Sequence, residues 1–382
     1  MLAIANKYFM SQWCENNEEN RETAIAWNAA ISDEAQDLHK ECTIVDACAF
    51  NVEKDNWQLR AGCPTALNIT VPDVSNPSYG SVMERLIAME HAVLASPERF
   101  MNILTVDDFA LAKRTGKVGL IFGAQSCDFA KSFDLDASVA ILARMGLRIM
   151  QIGYHSRSFA ADGCDTGTDS GITMQGRALI RAMERNGVTV DLSHVGRRST
   201  LEAMDYAEKP MIFSHSNPKA LFDNLRNITD EQAKKCAEIN GVIGAVAFSP
   251  LLCDEKRGAS IDAYVDAIAY YADLVGIDHV GVGLDSNVEP GAYSREDAKS
   301  MADYYFDPTQ FSPGCKEYYH DRVEEALRAG KGRTSVVTEG LYGIANYPNL
   351  IDHLLKRGFS HEDVKKIMGG NFLRVFRDTW KS

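Results

Sequence analysis

The stretch Val188–Ser216, VTVDLSHVGRRSTLEAMDYAEKPMIFSHS, holds two short apolar runs separated by a helical pattern. Val188–Leu192 and Pro210–Phe213 read as strands, and Ser199–Glu208 reads as the helix between them. A strand, a crossover helix and a second strand form a βα unit, which lays the two strands side by side and parallel. Both strands end alike: Ser193-His194 follows the first and Ser214-His215 the second.

The same alternation extends in both directions. Further strands are expected at Thr43–Asp46, Ala66–Val71, Val118–Phe122, Arg148–Ile152, Val242–Val246 and His279–Val282, making eight. Helical periodicity fills most of the gaps, at Met83–Ala95, Leu135–Met145, Gln175–Asn186, Asp230–Glu238 and Ile261–Leu274. Start signals stand at Asn227–Asp230 and Ser360–Asp363, and Ser360–Arg377 reads as a C-terminal helix with Gly369-Gly370 as its weak point. Eight βα units with near-continuous apolar strands fit an α/β fold of the (β/α)8 TIM-barrel type better than an open sheet. No GxGxxG turn follows Val45, as a dinucleotide-binding sheet would require.

A barrel takes about 250 residues. The 382 residues are therefore expected to form one domain, 1–382, with an N-terminal helical segment over 1–42, an insertion over 286–335 and C-terminal helices over 348–380. The insertion is aromatic and acidic (MADYYFDPTQF, Met301–Phe311) and reads as a lid or a partner surface. Its tyrosines, Tyr293, Tyr304, Tyr305, Tyr318 and Tyr319, raise a homo-oligomer interface as one reading, and a lid packed on its own barrel as the other.

A net charge of −13 argues against a nucleic-acid partner, which would call for clustered lysine and arginine. No apolar run approaches the roughly 18 residues that span a bilayer. The first twenty residues lack a basic region followed by an apolar one, so no secretory signal is expected. Nine scattered cysteines without a CxxC pair suggest reduced thiols. These features predict a soluble, cytoplasmic protein.

In such a barrel, reactive groups emerge at the C-terminal ends of the strands. Reading just past each strand gives Asp46 and Cys48, Ala124 and Gln125, Tyr154 and His155, Ser193 and His194, Ser214 and His215, and Asp285. A single histidine at such a place is most often a hydrogen-bonded structural residue. Two on successive strands, with Asp285 on the same rim, can converge on one ion, with Asp285 as proton acceptor. Cys48 reads either as a small buried hydrophobe or as a ligand. Arg226 flanks a helix start yet lies on the same rim.

The run Gly171–Gly196, the segment Lys209–Asn227 (KPMIFSHSNPKALFDNLRN), Gly276–Ser286 (GIDHVGVGLDS) and Tyr347–Phe376 together resemble the membrane (renal) dipeptidase family of zinc metallopeptidases, peptidase family M19. The likeness runs from about Thr43 nearly to the end. It implies a (β/α)8 barrel of the amidohydrolase type in which two zinc ions hydrolyse dipeptides. Carried over by motif, His194 and His215 match the second zinc site, Arg226 the arginine that binds the substrate carboxylate, and Asp285 the catalytic aspartate. Tyr154 and His155 fall where the family has a substrate-contacting histidine.

The family's first zinc motif, His-x-Asp, falls on Cys48 and Phe50, and its bridging glutamate on Ala124 or Gln125. Phenylalanine cannot bind a metal and a neutral glutamine rarely bridges one. One zinc is therefore expected rather than two, held by His194 and His215 with water and one of Cys48, His155 or Asp285. The expected activity is amide hydrolysis in a dipeptide or similar small carboxylate. The alternative is a barrel without metal that does different chemistry on such a ligand, or only binds it.

Overall fold

The structure, a computed structural model, describes residues 18–50, 52, 55–71, 78–132, 134–248, 251–252, 259–288 and 338–380. In chain order the strands are β1 Val45–Phe50, β2 Ala66–Thr70, β3 Phe100–Asn102, β4 Val118–Ala124, β5 Leu147–Gln151, β6 Thr189–Asp191, β7 Ile212–Phe213, β8 Val242–Ala245, β9 Val280–Val282 and β10 Ser286–Asn287. All pairings between them are parallel, and β1 bonds both β2 and β9, so eight of the strands close a barrel in the order β1-β2-β4-β5-β6-β7-β8-β9. These eight are the expected ones. The other two are additions. β3 lies along the first half of β4, with Phe100 opposite Val118, and β10 lies beside the end of β1.

The two-residue period of a strand divides the core in two. Val45, Ile121, Ile149, Ile212 and Val242 join one cluster with Phe372, Phe376 and Trp380, whereas Leu120, Phe122, Met150, Phe213 and Ile243 belong to the cluster shared with the surrounding helices. The C-terminal helix Asn371–Thr379 therefore packs its aromatic side chains against residues of the barrel strands. Asn371 donates to the carbonyls of Ile277 and Val280 at 2.7 and 2.8 Å, and Trp380 Nε1 donates to Thr189 Oγ1 at 3.0 Å.

The expected C-terminal helix is three pieces: His361–Lys365, a wider π turn at Lys366–Gly370, and Asn371–Thr379. The break falls at the glycine pair, where a Cβ on Gly369 would collide with the Thr43 carbonyl. Ser360 caps the first piece in a reciprocal box with Asp363, and Thr229 does the same with Gln232 before the helix Asp230–Glu238. At the other end of the chain, the helices Glu18–Ala29 and Asp33–Glu41 pack on the C-terminal region, where Asp352 accepts the Ser32 N–H at 3.0 Å and its hydroxyl at 2.7 Å. Among the described residues no helix is long and apolar enough to cross a membrane. The insertion and its five tyrosines lie outside the described residues, apart from 286–288.

Candidate functional site

Two aspartates, one ending β6 and one inside β1, shape the mouth of the barrel. Asp191 closes β6; its Oδ1 accepts the N–H of Ser193 at 3.0 Å and that of Ser214, past the neighbouring β7, at 2.9 Å. Its Oδ2 accepts the Ser214 hydroxyl at 2.5 Å and the Gln151 amide at 3.0 Å. Because the Ser214 proton goes to the carboxylate, its oxygen is free to accept from His215 Nδ1, 2.6 Å away. His215 is thereby held as the tautomer whose Nε2 carries a lone pair. That Nε2 stands 2.9 Å from His194 Nε2, and His194 Nδ1 is buried without a hydrogen-bond partner. Burial, reinforced by the charge of Arg226, holds both imidazoles well below the usual histidine range. Both are therefore neutral, the form that ligates metals.

Asp46 in β1 does the corresponding work across the barrel. Its Oδ1 accepts the N–H groups of Cys48 at 2.9 Å and Leu284 at 3.0 Å, and its Oδ2 accepts the Tyr347 hydroxyl at 2.6 Å. Burial pushes this carboxyl up to about 7, against the pull of those three bonds. The irregular stretch of β1 that it fixes brings Cys48 to Asp285: the Cys48 thiol donates to Asp285 Oδ1 at 3.2 Å and accepts from Gln125 Nε2 at 3.2 Å. Gln125 also donates to Thr70 Oγ1 at 3.0 Å. Burial, then the neighbouring Asp285, raises the thiol well above its ordinary range; burial likewise raises Asp285, partly offset by Cys48 and Arg226. Of the two candidates for the bridging position, Ala124 or Gln125, it is Gln125 whose side chain reaches Cys48.

The ligand atoms of Cys48, His215 and Asp285 all lie within 4.8 Å of one another. This S, N, O set fits one zinc-class ion with an open position. A pair of ions of the family type does not fit, because Phe50 offers no ligand atom and the Gln125 amide nitrogen is turned toward Cys48.

Arg226 is 5% exposed, and its Nη2 and Nη1 donate to the His215 carbonyl at 2.7 Å and Ser216 Oγ at 2.9 Å. Its Nε is buried without a partner, and no carboxylate among the described residues pairs with it. Arg226 and His194 line a cavity of about 580 Å³, which Lys219, Arg197 and Cys164 also border. Tyr154 stacks on the His194 ring at 4.2 Å, and His155 meets that ring edge-on at 4.4 Å. The seven residues singled out from the sequence thus gather at one mouth, in two groups that meet at His194 and His215. His155, His194 and Asp285 all adopt left-handed backbone, with φ of 54°, 68° and 60°.

Two further residues belong to this region beside Asp46, which the strand reading already placed on the rim: Asp191 positions the turn after β6, and Asp165 Oδ2 lies 2.7 Å from His155 Nδ1. The signal for Asp191 was the spelling V-D-x-S, which repeats the V-D-x-C of Asp46 and Cys48; Asp165 carries no comparable signal. β1 itself runs past its expected end at Asp46 to Phe50, so Asp46 works from inside the strand.

The sequence profile of the family described as membrane dipeptidase (peptidase family M19) matches residues 18–303 and 332–381. Dipeptidase tcpJ of Claviceps purpurea is 26% identical over 325 residues, which is 84% of this chain and 65% of that protein. An uncharacterized dipeptidase of Schizosaccharomyces pombe is 26% identical over 238 residues, 62% of this chain and 47% of its own length. The chain thus spans less than two thirds of these two relatives. Among solved structures, an amidohydrolase from Pseudomonas aeruginosa superposes with a TM-score of 0.76 at 27% identity, covering 91% of this chain and 99% of that one. A metallo peptidase from Rhodobacter sphaeroides, liganded with a phosphinate mimic of the dipeptide L-Ala-D-Ala, superposes with a TM-score of 0.66 at 18% identity, covering 89% and 99%.

Proposed function

The chain belongs to the membrane dipeptidase family, peptidase family M19, and from that premise we propose that it hydrolyses an amide bond in a dipeptide or a similar small substrate with a free carboxylate. One observation carries this reading. A buried guanidinium with no carboxylate partner faces a cavity beside a cluster of metal-type donors. A buried cation without a counter-ion is costly, so the cavity favours an anionic ligand group.

In this reading Arg226 anchors the substrate carboxylate. Its Nη atoms are already fixed on the loop that carries His215, so the anchor and the histidine move as one body. Asp285 takes and returns a proton at its carboxylate, which stands at the barrel mouth beside the Cys48 thiol. The stacked Tyr154 ring shields one face of His194 from water. His215, Cys48 and Asp285, with His194 beside them, would hold one ion. When bound, a zinc in that place supplies Lewis acidity toward a carbonyl and lowers the pKa of water. The free thiols among the described residues support a cytoplasmic setting.

A panel of dipeptides, assayed beside elemental analysis of the purified protein, tests the proposal. The expected result is zinc lost together with activity in His194→Ala. Metal-free protein whose activity survives both His194→Ala and His215→Ala would overturn the metal's part in it, and absence of product across the panel would overturn the hydrolysis itself. The second reading, capture without turnover, draws on the mutual bonding of Cys48, Gln125 and Asp285, which leaves that trio satisfied without an ion. Tight ligand binding with no product across the panel would favour it.

A further inference from the structure

The geometry points to a second cation site at this mouth, formed by His155, Cys164 and Asp165 and suited to a zinc-class divalent ion. Cys164 Sγ lies 3.9 Å from His155 Nδ1 and 3.5 Å from Asp165 Oδ1, while His155 Nδ1 and Asp165 Oδ2 are 2.7 Å apart. Like the first cluster, these three donors all fall within 4.8 Å of one another. In a tetrahedral site with Zn–S near 2.3 Å and Zn–N near 2.0–2.1 Å, ligand atoms stand about 3.3–3.6 Å apart. The two sulfur separations therefore need little adjustment. The short nitrogen–oxygen contact is the hydrogen bond that an ion would replace.

The backbone holds the donors ready. The Cys164 N–H donates to the His194 carbonyl at 2.8 Å, and the Asp165 N–H donates to the His155 carbonyl at 2.9 Å. Gly163 pairs with Val195 in an antiparallel bridge, and a Cβ there would collide with the His155 carbonyl. The run Gly163-Cys164-Asp165 is thus pressed against the two turns that carry His155 and His194. Gly163 and Cys164 also line the 580 Å³ cavity, which gives an ion a path from solvent. Sulfur and imidazole favour zinc or cobalt over magnesium or calcium, and three protein ligands leave a fourth position open. The His194 ring stands between the two clusters, 4.4 Å from the His155 ring and 4.9 Å from that of His215. The family's lost His-x-Asp position falls on Cys48 and Phe50, and Cys48 belongs to the first cluster, so this site is no remnant of it.

Cobalt(II) titration of the full chain tests the site, because each cluster contains one thiol and a thiolate–cobalt bond absorbs in the near ultraviolet. Cys48→Ser reads the first cluster, and Cys164→Ser and Asp165→Asn read the second. The proposal expects Cys48→Ser to keep one cobalt and its thiolate absorption. Cys164→Ser is expected to lose one equivalent with its share of that absorption, and Asp165→Asn to weaken cobalt binding at least tenfold. Unchanged stoichiometry and absorption in Cys164→Ser would overturn it, leaving His155 and Asp165 as a hydrogen-bonded pair. Should Cys164→Ser fail to fold by circular dichroism, loss of all thiolate absorption in Cys48→Ser overturns the proposal equally. Failure of the first cluster alone, seen as an unchanged Cys48→Ser, leaves this second site standing.

Discussion

The register shift inside β1 and the turn after β6 are built alike and end differently. In each, an aspartate oxygen gathers the N–H two residues ahead and an N–H from the neighbouring strand end: Cys48 and Leu284 for Asp46, Ser193 and Ser214 for Asp191. Past that shared frame they part. On the β6 side two buried atoms are without a partner, His194 Nδ1 and Arg226 Nε, and both residues line the cavity. On the β1 side Cys48, Gln125 and Asp285 bond one another. The backbone device is therefore separable from the chemistry it presents: one side leaves buried atoms unpaired, and the other pairs its side chains with one another.

The sharpest way to break this comparison is Asp191→Ala. It strands two buried N–H groups, a hydroxyl and an amide, and should lower stability by about 3–5 kcal/mol. Urea denaturation checks it. A loss below about 1 kcal/mol would mean that the frame is not held by the carboxylate. Next comes Arg226→Lys, which keeps the charge and loses the planar fork. KM for dipeptides should rise about 10- to 100-fold, matching 1.5–3 kcal/mol for a hydrogen bond to a charged group, with kcat changed far less. An equal fall in kcat would place Arg226 in the chemical step.

The smallest effect belongs to a third carboxylate-held turn, far from the mouth. Burial works against ionisation of Asp352, but Lys356 and the Ser32 N–H and hydroxyl outweigh it and hold the carboxyl below its usual range. The folded state then binds fewer protons than the unfolded one. Its contribution is full above the unfolded carboxyl pKa of about 4 and fades as the pH falls further. Asp352→Asn should cost about 1–2 kcal/mol at pH 7, with the deficit shrinking below about pH 4 and KM unmoved. Thermal unfolding across that range measures it. A deficit constant with pH would show that the carboxylate's ionisation contributes nothing to this anchor.

The barrel was legible because its eight strands carry β-branched apolar residues in a regular rhythm with helical patterns between them. Length does not separate β3 and β10 from them, since β6, β7 and β9 are as short; Phe-Met-Asn and Ser-Asn simply hold no β-branched residue to mark a strand. His194, His215 and Arg226 were legible from strand-end position and motif. The contact of Cys48 with Asp285 joins residues 237 positions apart, and only closure of β1 on β9 creates it. Asp165 was hidden for another reason. Its place beside His155 depends on a ten-residue loop folding back, and no local pattern encodes that return.

Left-handed backbone at His155, His194 and Asp285 has a consequence for anyone engineering this chain. A side chain in that conformation gives up roughly 1 kcal/mol that glycine would not. Glycine would relieve that strain but would empty the space of a buried or half-buried side chain and leave its partner unpaired: Asp165 for His155, His215 for His194 and Cys48 for Asp285. Alanine loses the same contacts and keeps the strain, so at each position it should destabilise more than glycine does. An alanine scan alone would therefore overstate what these three side chains contribute to the fold.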